Sequence, residues 1–125
     1  MAWGATSHKS GLEKIYYKHS TLHPDELIVD ILYTGLCHSD HFKLKCLWTP
    51  PERSKWPMVA GHEIIGRVKE IGSNVETVKV GDIVGACPKR STCGFCKNCK
   101  MGDDNICMSK TARPMYDPHF GGYAT

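Results

Sequence analysis

Four of the chain's seven cysteines fall in one short run, Cys93-Gly-Phe-Cys96-Lys-Asn-Cys99, closed eight residues later by Cys107. The pattern C-x2-C-x2-C-x7-C offers four thiolates, the ligand count of a closed, structural zinc site. Its surroundings, about Pro88 to Pro118, hold few bulky apolar side chains. Such a segment buries too little surface to offset its own conformational entropy. A metal can hold it instead: structural zinc contributes roughly 10–16 kcal/mol in small peptides, against roughly 5–15 kcal/mol for the net stability of a whole domain. Two rival uses of these thiols fit less well. An iron–sulfur run of this type closes at x3 with proline after the last cysteine, whereas here seven residues intervene and Met108 follows. A disulfide framework suits a secreted chain, but seven is an odd count and no charged-then-apolar leader opens the sequence.

A second constellation is Cys37, Asp40, His62 and Glu63. Cys37 and His62 each stand close after a glycine at an expected strand boundary, with a proline-rich stretch between them. Thiolate, imidazole and carboxylate together are donors that suit zinc. Asp40 accepting the second ring N–H of His62 would orient that histidine as a ligand. Each residue also has a plain alternative, since a lone cysteine is often simply buried and a lone histidine simply satisfied. Spacing alone leaves both readings standing.

The elements that must position these side chains are short. Met1 to His23 is polar and mixed, with Leu12, Ile15, Tyr16 and Tyr17 as its anchors, and reads as irregular edge strands. His8, His19 and His23 lack partners at ligand spacing and read as surface residues. Glu26 to Tyr33, bounded by Pro24 and Gly35, is rich in β-branched residues and predicts a strand with Leu27, Val29 and Ile31 on a buried face. Residues 39–48 predict a short helix with Ser39 as N-cap, broken by Thr49-Pro50-Pro51. Ile64 to Ile71 predicts a second strand, ended by Gly72-Ser73-Asn74. Val75 to Val80 is short and only partly alternating, and Gly81-Asp82 turns into a strand from Ile83 to Cys87. Short strands with Gly and Asn turns suggest a small barrel or sandwich. No GxGxxG precedes a helix, and no βαβ array fits after Cys107.

Apolar content of 41% and charged content of 23% over 125 residues describe one ordinary globular domain. A net charge of +3, with basic residues scattered, gives no footprint for nucleic acid or a membrane surface. Lys89, Arg90, Lys97 and Lys100 crowd the thiols, as a solvated face or as counter-charge to a four-thiolate zinc. No apolar run approaches the roughly 18 residues of a membrane span. Free thiols at zinc spacing point to a reducing, cytoplasmic setting.

The order Gly35-Leu-Cys37-His38-Ser39-Asp40, Gly61-His62-Glu63, Val80-Gly81-Asp82 and then the four-cysteine lobe resembles that of the zinc-dependent medium-chain alcohol dehydrogenases. Ile31 to Asp40, Trp56 to Glu63 and Trp3-Gly-Ala5 bring it nearest the cinnamyl-alcohol-dehydrogenase-like group. The resemblance runs over nearly the whole chain. It implies a mainly β fold, a GroES-like, partly open β-barrel with a zinc lobe and short helices. It implies that Cys37 and His62 are two of the three ligands of a catalytic zinc and that Glu63 is the adjacent carboxylate, an occasional ligand. By the same resemblance Ser39 is the hydroxyl that takes the alcohol proton, Asp40 supports the site, and His38 lies beside the cofactor pyrophosphate. Cys93, Cys96, Cys99 and Cys107 would hold the structural zinc.

The implied activity is hydride transfer between a primary alcohol or its aldehyde and NADP, or NAD, in a cytoplasmic homodimer. The alternative is a stand-alone zinc-binding module of this fold with a structural or interaction role and no catalysis. Two departures stand out. Phe42 occupies the position where relatives carry the outer histidine of a proton relay, and His41 beside it would point elsewhere. The family's third catalytic ligand, a cysteine, and its Rossmann domain would both come after Thr125, so residues 1–125 correspond to the substrate-side half.

Overall fold

The computed structural model describes residues 1–18, 21–86, 88–109, 113–114 and 121–125. Its strands form three small sheets. β1 (Ala2–Ala5) lies between β2 (Glu13–Ile15) and, farther along the chain, β4 (Met58–Val59), all antiparallel. β3 (Leu27–Thr34) pairs with β5 (Ile64–Ile71), and β5 with β6 (Ile83–Ala86), again antiparallel. β7 (Lys89–Ser91) and β8 (Arg113–Pro114) make the third sheet. The fold is mainly β, as expected, but among the described residues the sheets do not join edge to edge into one barrel ladder. His19, Cys87 and, within the 88–118 segment read from the sequence, residues 110–112 and 115–118 lie outside the described residues.

β5 has the bounds its sequence predicts, and it alternates over its first six residues: Ile64, Gly66 and Val68 face inward and Ile65, Arg67 and Lys69 outward. β3 behaves differently. The face expected to be buried, Leu27, Val29 and Ile31, is only half-buried. Its ladder with β5 slips between Ile28 and Val29 and again between Ile31 and Tyr33, which breaks the two-residue period. Val75 to Val80 forms no strand. It is a turn-rich connection tied down where Asn74 N–H donates to Pro24 O and Gly81 N–H to Val68 O.

The buried apolar residues are small and few: Ala2, Ala5, Ile15, Met58, Val59, Ala60, Ile64 and Val68. They lie on β1, β2, β4 and β5 and at Ala60, just past β4. The last five residues are part of this assembly. Ala124 bridges to Ala2, Tyr123 O accepts from Trp3 N–H, and Tyr123 N–H donates to Ala60 O.

Candidate functional site

The register of β3 and β5 brings the second constellation together. Thr34 stands opposite Ile64, and Gly35 N–H donates to Glu63 O at 2.8 Å, one step beyond the ladder. The chain leaving β3 and the chain entering β5 therefore meet, and Cys37 arrives beside His62. Cys37 caps α1 (His38–Leu44), so the helix starts before the expected Ser39 and ends at Leu44 rather than reaching residue 48. The cap works through Asp40: its carboxylate turns back and accepts Cys37 N–H at 3.1 Å.

Asp40 is 2% exposed and His62 7%, the two buried polar residues among those described. Four donors converge on the Asp40 carboxylate. Gly61 N–H (2.9 Å) and His62 Nδ1 (3.1 Å) reach Oδ1, while Cys37 N–H (3.1 Å) and the Tyr123 hydroxyl (2.8 Å) reach Oδ2. Burial alone would raise this carboxyl. The hydrogen bonds from Gly61, Tyr123 and Cys37, with the nearby His62, outweigh it and hold Asp40 below the usual carboxylate value. An ionised carboxylate only accepts, so His62 Nδ1 carries the proton and Nε2 presents a lone pair. That lone pair faces the cluster in which Cys37, His62 and Glu63 bring one ligand atom each within 4.8 Å of one another. Ser39 Oγ sits 3.0 Å from Cys37 Sγ and 3.2 Å from His62 Nε2.

Two open clefts flank the cluster. One of about 550 Å³ is lined by Cys37, His38, Asp40, His41 and Tyr123, among others; the other, of about 640 Å³, by Tyr33, Gly35, Glu63 and Ile65, among others. His38 is exposed and does not join the cluster. Its ring rests 5.0 Å from that of Phe42 and 5.7 Å from that of His41. Phe42 in turn packs on Trp48 at 5.3 Å, so an aromatic side chain stands where a relay histidine was sought.

The lobe gathers all four thiols within 4.8 Å. Sulfurs about 2.3 Å from a tetrahedral zinc lie roughly 3.8 Å apart. Cys93–Cys107, Cys93–Cys99 and Cys96–Cys107 measure 3.6, 3.8 and 4.0 Å, so the cage fits that ion. α2 (Lys97–Lys100) starts at Cys96, and a 3-10 turn at Asp104–Ile106 delivers Cys107. Backbone hydrogen bonds from Cys99 and Met108 draw the Cys96 thiol down to about 6, and those at Cys93 and Ser109 lower Cys107. Desolvation, followed by bonding to Cys96, pushes Cys99 up to about 11. The lobe buries little to hold itself: Phe95, Met101, Ile106 and Met108 are 68%, 64%, 58% and 74% exposed. Lys89 Nζ donates to the carbonyls of Asp104 and Asn105, and Arg90 pairs with Glu26 on the approach to β3.

Sequence reasoning missed Tyr123, and it named Gly35 and Gly61 as motif positions without the steric role they play. Gly61 has φ +95°, and a Cβ there would meet Gly122 N at 2.8 Å; a Cβ on Gly35 would meet Glu63 Oε2 at 2.0 Å. The spacing Cys37-x-x-Asp40 was a readable capping signal. The contacts of Tyr123 and Gly35 are purely tertiary and leave no local pattern.

Comparison with known proteins agrees with this geometry. Residues 23–125 match the alcohol dehydrogenase GroES-like domain. Cinnamyl alcohol dehydrogenase 7 of Oryza sativa subsp. japonica is 43% identical over 66% of this chain, which covers 21% of that protein. NADP-dependent alcohol dehydrogenase C 1 of Mycolicibacterium smegmatis is 36% identical over 98% of the chain and 36% of its own length. Among solved structures, CAD from Helicobacter pylori complexed with NADP(H) superposes with a TM-score of 0.87 at 31% identity, over 98% of this chain and 36% of that one. The chain thus spans about a fifth to a third of the length of these relatives. It belongs to the alcohol dehydrogenase GroES-like domain family.

Proposed function

We propose that this chain is the zinc-binding, substrate-side domain of a cytoplasmic oxidoreductase that moves hydride between a primary alcohol and NADP. The observation that carries the reading is the cluster of Cys37, His62 and Glu63, with Ser39 Oγ against Cys37 and His62 and Asp40 behind His62. The names of the rice and mycobacterial relatives supply the substrate class and the cofactor.

Cys37, His62 and Glu63 are the residues that would hold a catalytic zinc. When bound, zinc supplies Lewis acidity toward an alcohol or carbonyl oxygen. Asp40 keeps the proton on His62 Nδ1 and so keeps Nε2 available. Ser39 Oγ, beside Cys37 and His62, would accept the alcohol's hydroxyl proton as it passes its own to water in the cleft, and so end as it began. Phe42 cannot extend that relay, so the proton leaves by solvent. His38, exposed at the cleft lined by Cys37 and Tyr123, would meet a cofactor phosphate, as the family resemblance implies. The four-thiolate lobe binds a second zinc whose shell is closed, and its role is structural. A homodimer and the remaining domains of the relatives complete this assembly.

The test is a chimera in which this chain replaces the matching third of the mycobacterial enzyme. Alcohol-dependent reduction of NADP that disappears in Cys37→Ala is the expected result. A chimera that folds and binds NADP yet shows no turnover in either form contradicts the reading. The 125-residue chain alone should show none.

A further inference from the structure

We propose that Tyr123 is a positioning residue that fixes the tautomer and orientation of His62 by acting through Asp40. The inference rests on His62 being a metal ligand, as proposed above, but its geometry stands independently. Tyr123 Oη donates to Asp40 Oδ2 at 2.8 Å across 83 positions of sequence, while His62 Nδ1 meets the other oxygen, Oδ1, at 3.1 Å. One carboxylate thus links the tyrosine hydroxyl to the imidazole.

The hydroxyl is held there by backbone on three sides. Gly122 N–H donates to Gly61 O (2.9 Å), Tyr123 N–H to Ala60 O (3.0 Å), and Trp3 N–H to Tyr123 O (2.7 Å). The same two residues, Ala60 and Gly61, lead directly into His62. Gly61 is what permits this approach, since any Cβ on it would strike Gly122 N and Tyr123 N at 2.8 and 2.9 Å. The 121–125 segment and the His62 loop are therefore one rigid unit with Asp40 at its centre.

Removing the hydroxyl would leave Oδ2 only the Cys37 N–H, freeing the carboxylate to rotate about its last bond and leave Oδ1 off the His62 ring. That rotation populates the tautomer with its proton on Nε2, which cannot ligate through that atom. Partners of this kind, one bond removed from a ligand, typically change metal affinity by about 10–100-fold when lost.

The experiment is Tyr123→Phe in the full chain, read three ways. After chelator treatment, nitrogen NMR of histidine-labelled protein should show His62 losing its Nδ1–H tautomer in the variant. Zinc titration should show affinity at the Cys37–His62 site falling by about tenfold, while the lobe still takes up one zinc. In an Asp40→Asn background the same tyrosine change should add little, because its route to His62 is already cut. An unchanged His62 tautomer, or full additivity with Asp40→Asn, would overturn the proposal. A tautomer shift in a chain that takes no zinc at His62 would sustain the positioning role and dismiss the metal reading instead. Should Tyr123→Phe fail to fold, 3-fluorotyrosine at position 123 keeps the hydroxyl and alters its acidity. A shifted His62 Nδ1 resonance then supports the link, and an unmoved one refutes it.

Discussion

Gly35 and Glu63 occupy the same space. Gly35 N–H donates to Glu63 O at 2.8 Å, and a Cβ on Gly35 would lie 2.0 Å from Glu63 Oε2 and 2.8 Å from Glu63 Cβ. The glycine is the vacancy into which the carboxylate of the cluster folds. Gly35→Ala should therefore push Glu63 away from Cys37 and His62. Zinc affinity at that site should fall by at least about tenfold, in the range of a lost supporting group, with the lobe unaffected. Calorimetric titration checks this, and unchanged affinity would mean that Glu63 is no ligand.

Cys96→Ser should empty the lobe. The exposed Phe95, Met101, Ile106 and Met108 leave no apolar core to replace the metal, and the roughly 10–16 kcal/mol that zinc supplies has no substitute. Amide spectra of the variant should lose dispersion over residues 93–109 and keep it in β1, β3 and β5. Full zinc occupancy by elemental analysis would refute the assignment.

Arg90 ties the lobe to the start of β3 through Glu26, but the pair is partly open, at 23% and 37% exposure. Solvent screens such a pair, so Arg90→Ala should cost no more than about 1 kcal/mol in thermal unfolding. Its zinc content should not change. Metal loss would show that the tether, not the thiols, holds the lobe.

Asp40→Asn removes a buried acceptor of four hydrogen bonds and faces at least one donor with an N–H. Unsatisfied buried groups cost about 1–3 kcal/mol each, so a loss of about 2–4 kcal/mol is expected in urea unfolding. The pH sign follows from the depressed carboxyl of the folded state. Its stabilisation is complete above the unfolded value of about 3.9 and is lost as pH falls through the lower, folded value. In chelator-treated protein the gap between wild type and variant should hold at neutral pH and narrow in acid. A gap that widens in acid would reverse the assignment.

How much of this was legible depended on whether the signal was local. β5 announced itself through the turn residues that end it, and the lobe through thiol spacing, because each signal is carried by adjacent residues. Leu27, Val29 and Ile31 promised a buried face that the two ladder slips in β3 dissolve, and a slip depends on the partner strand. Ser39 resembled an N-cap by residue type, yet the helix starts at Cys37 because Asp40 reaches back to its N–H. The pairing of Asp40 with His62 was anticipated from donor chemistry. Tyr123, 83 positions beyond Asp40, could be found only in the folded chain.

The central claim is two metal sites of unequal kind, and zinc titration into chelator-treated chain tests it most directly. Four thiolates in the lobe should bind first and tightly. Cys37, His62 and Glu63 offer one thiolate and three donors, so they should bind a second zinc far more weakly. Cys96→Ser should remove the tight site alone and His62→Ala the weak one alone. Two equally tight sites, or a weak site indifferent to His62, would contradict the account.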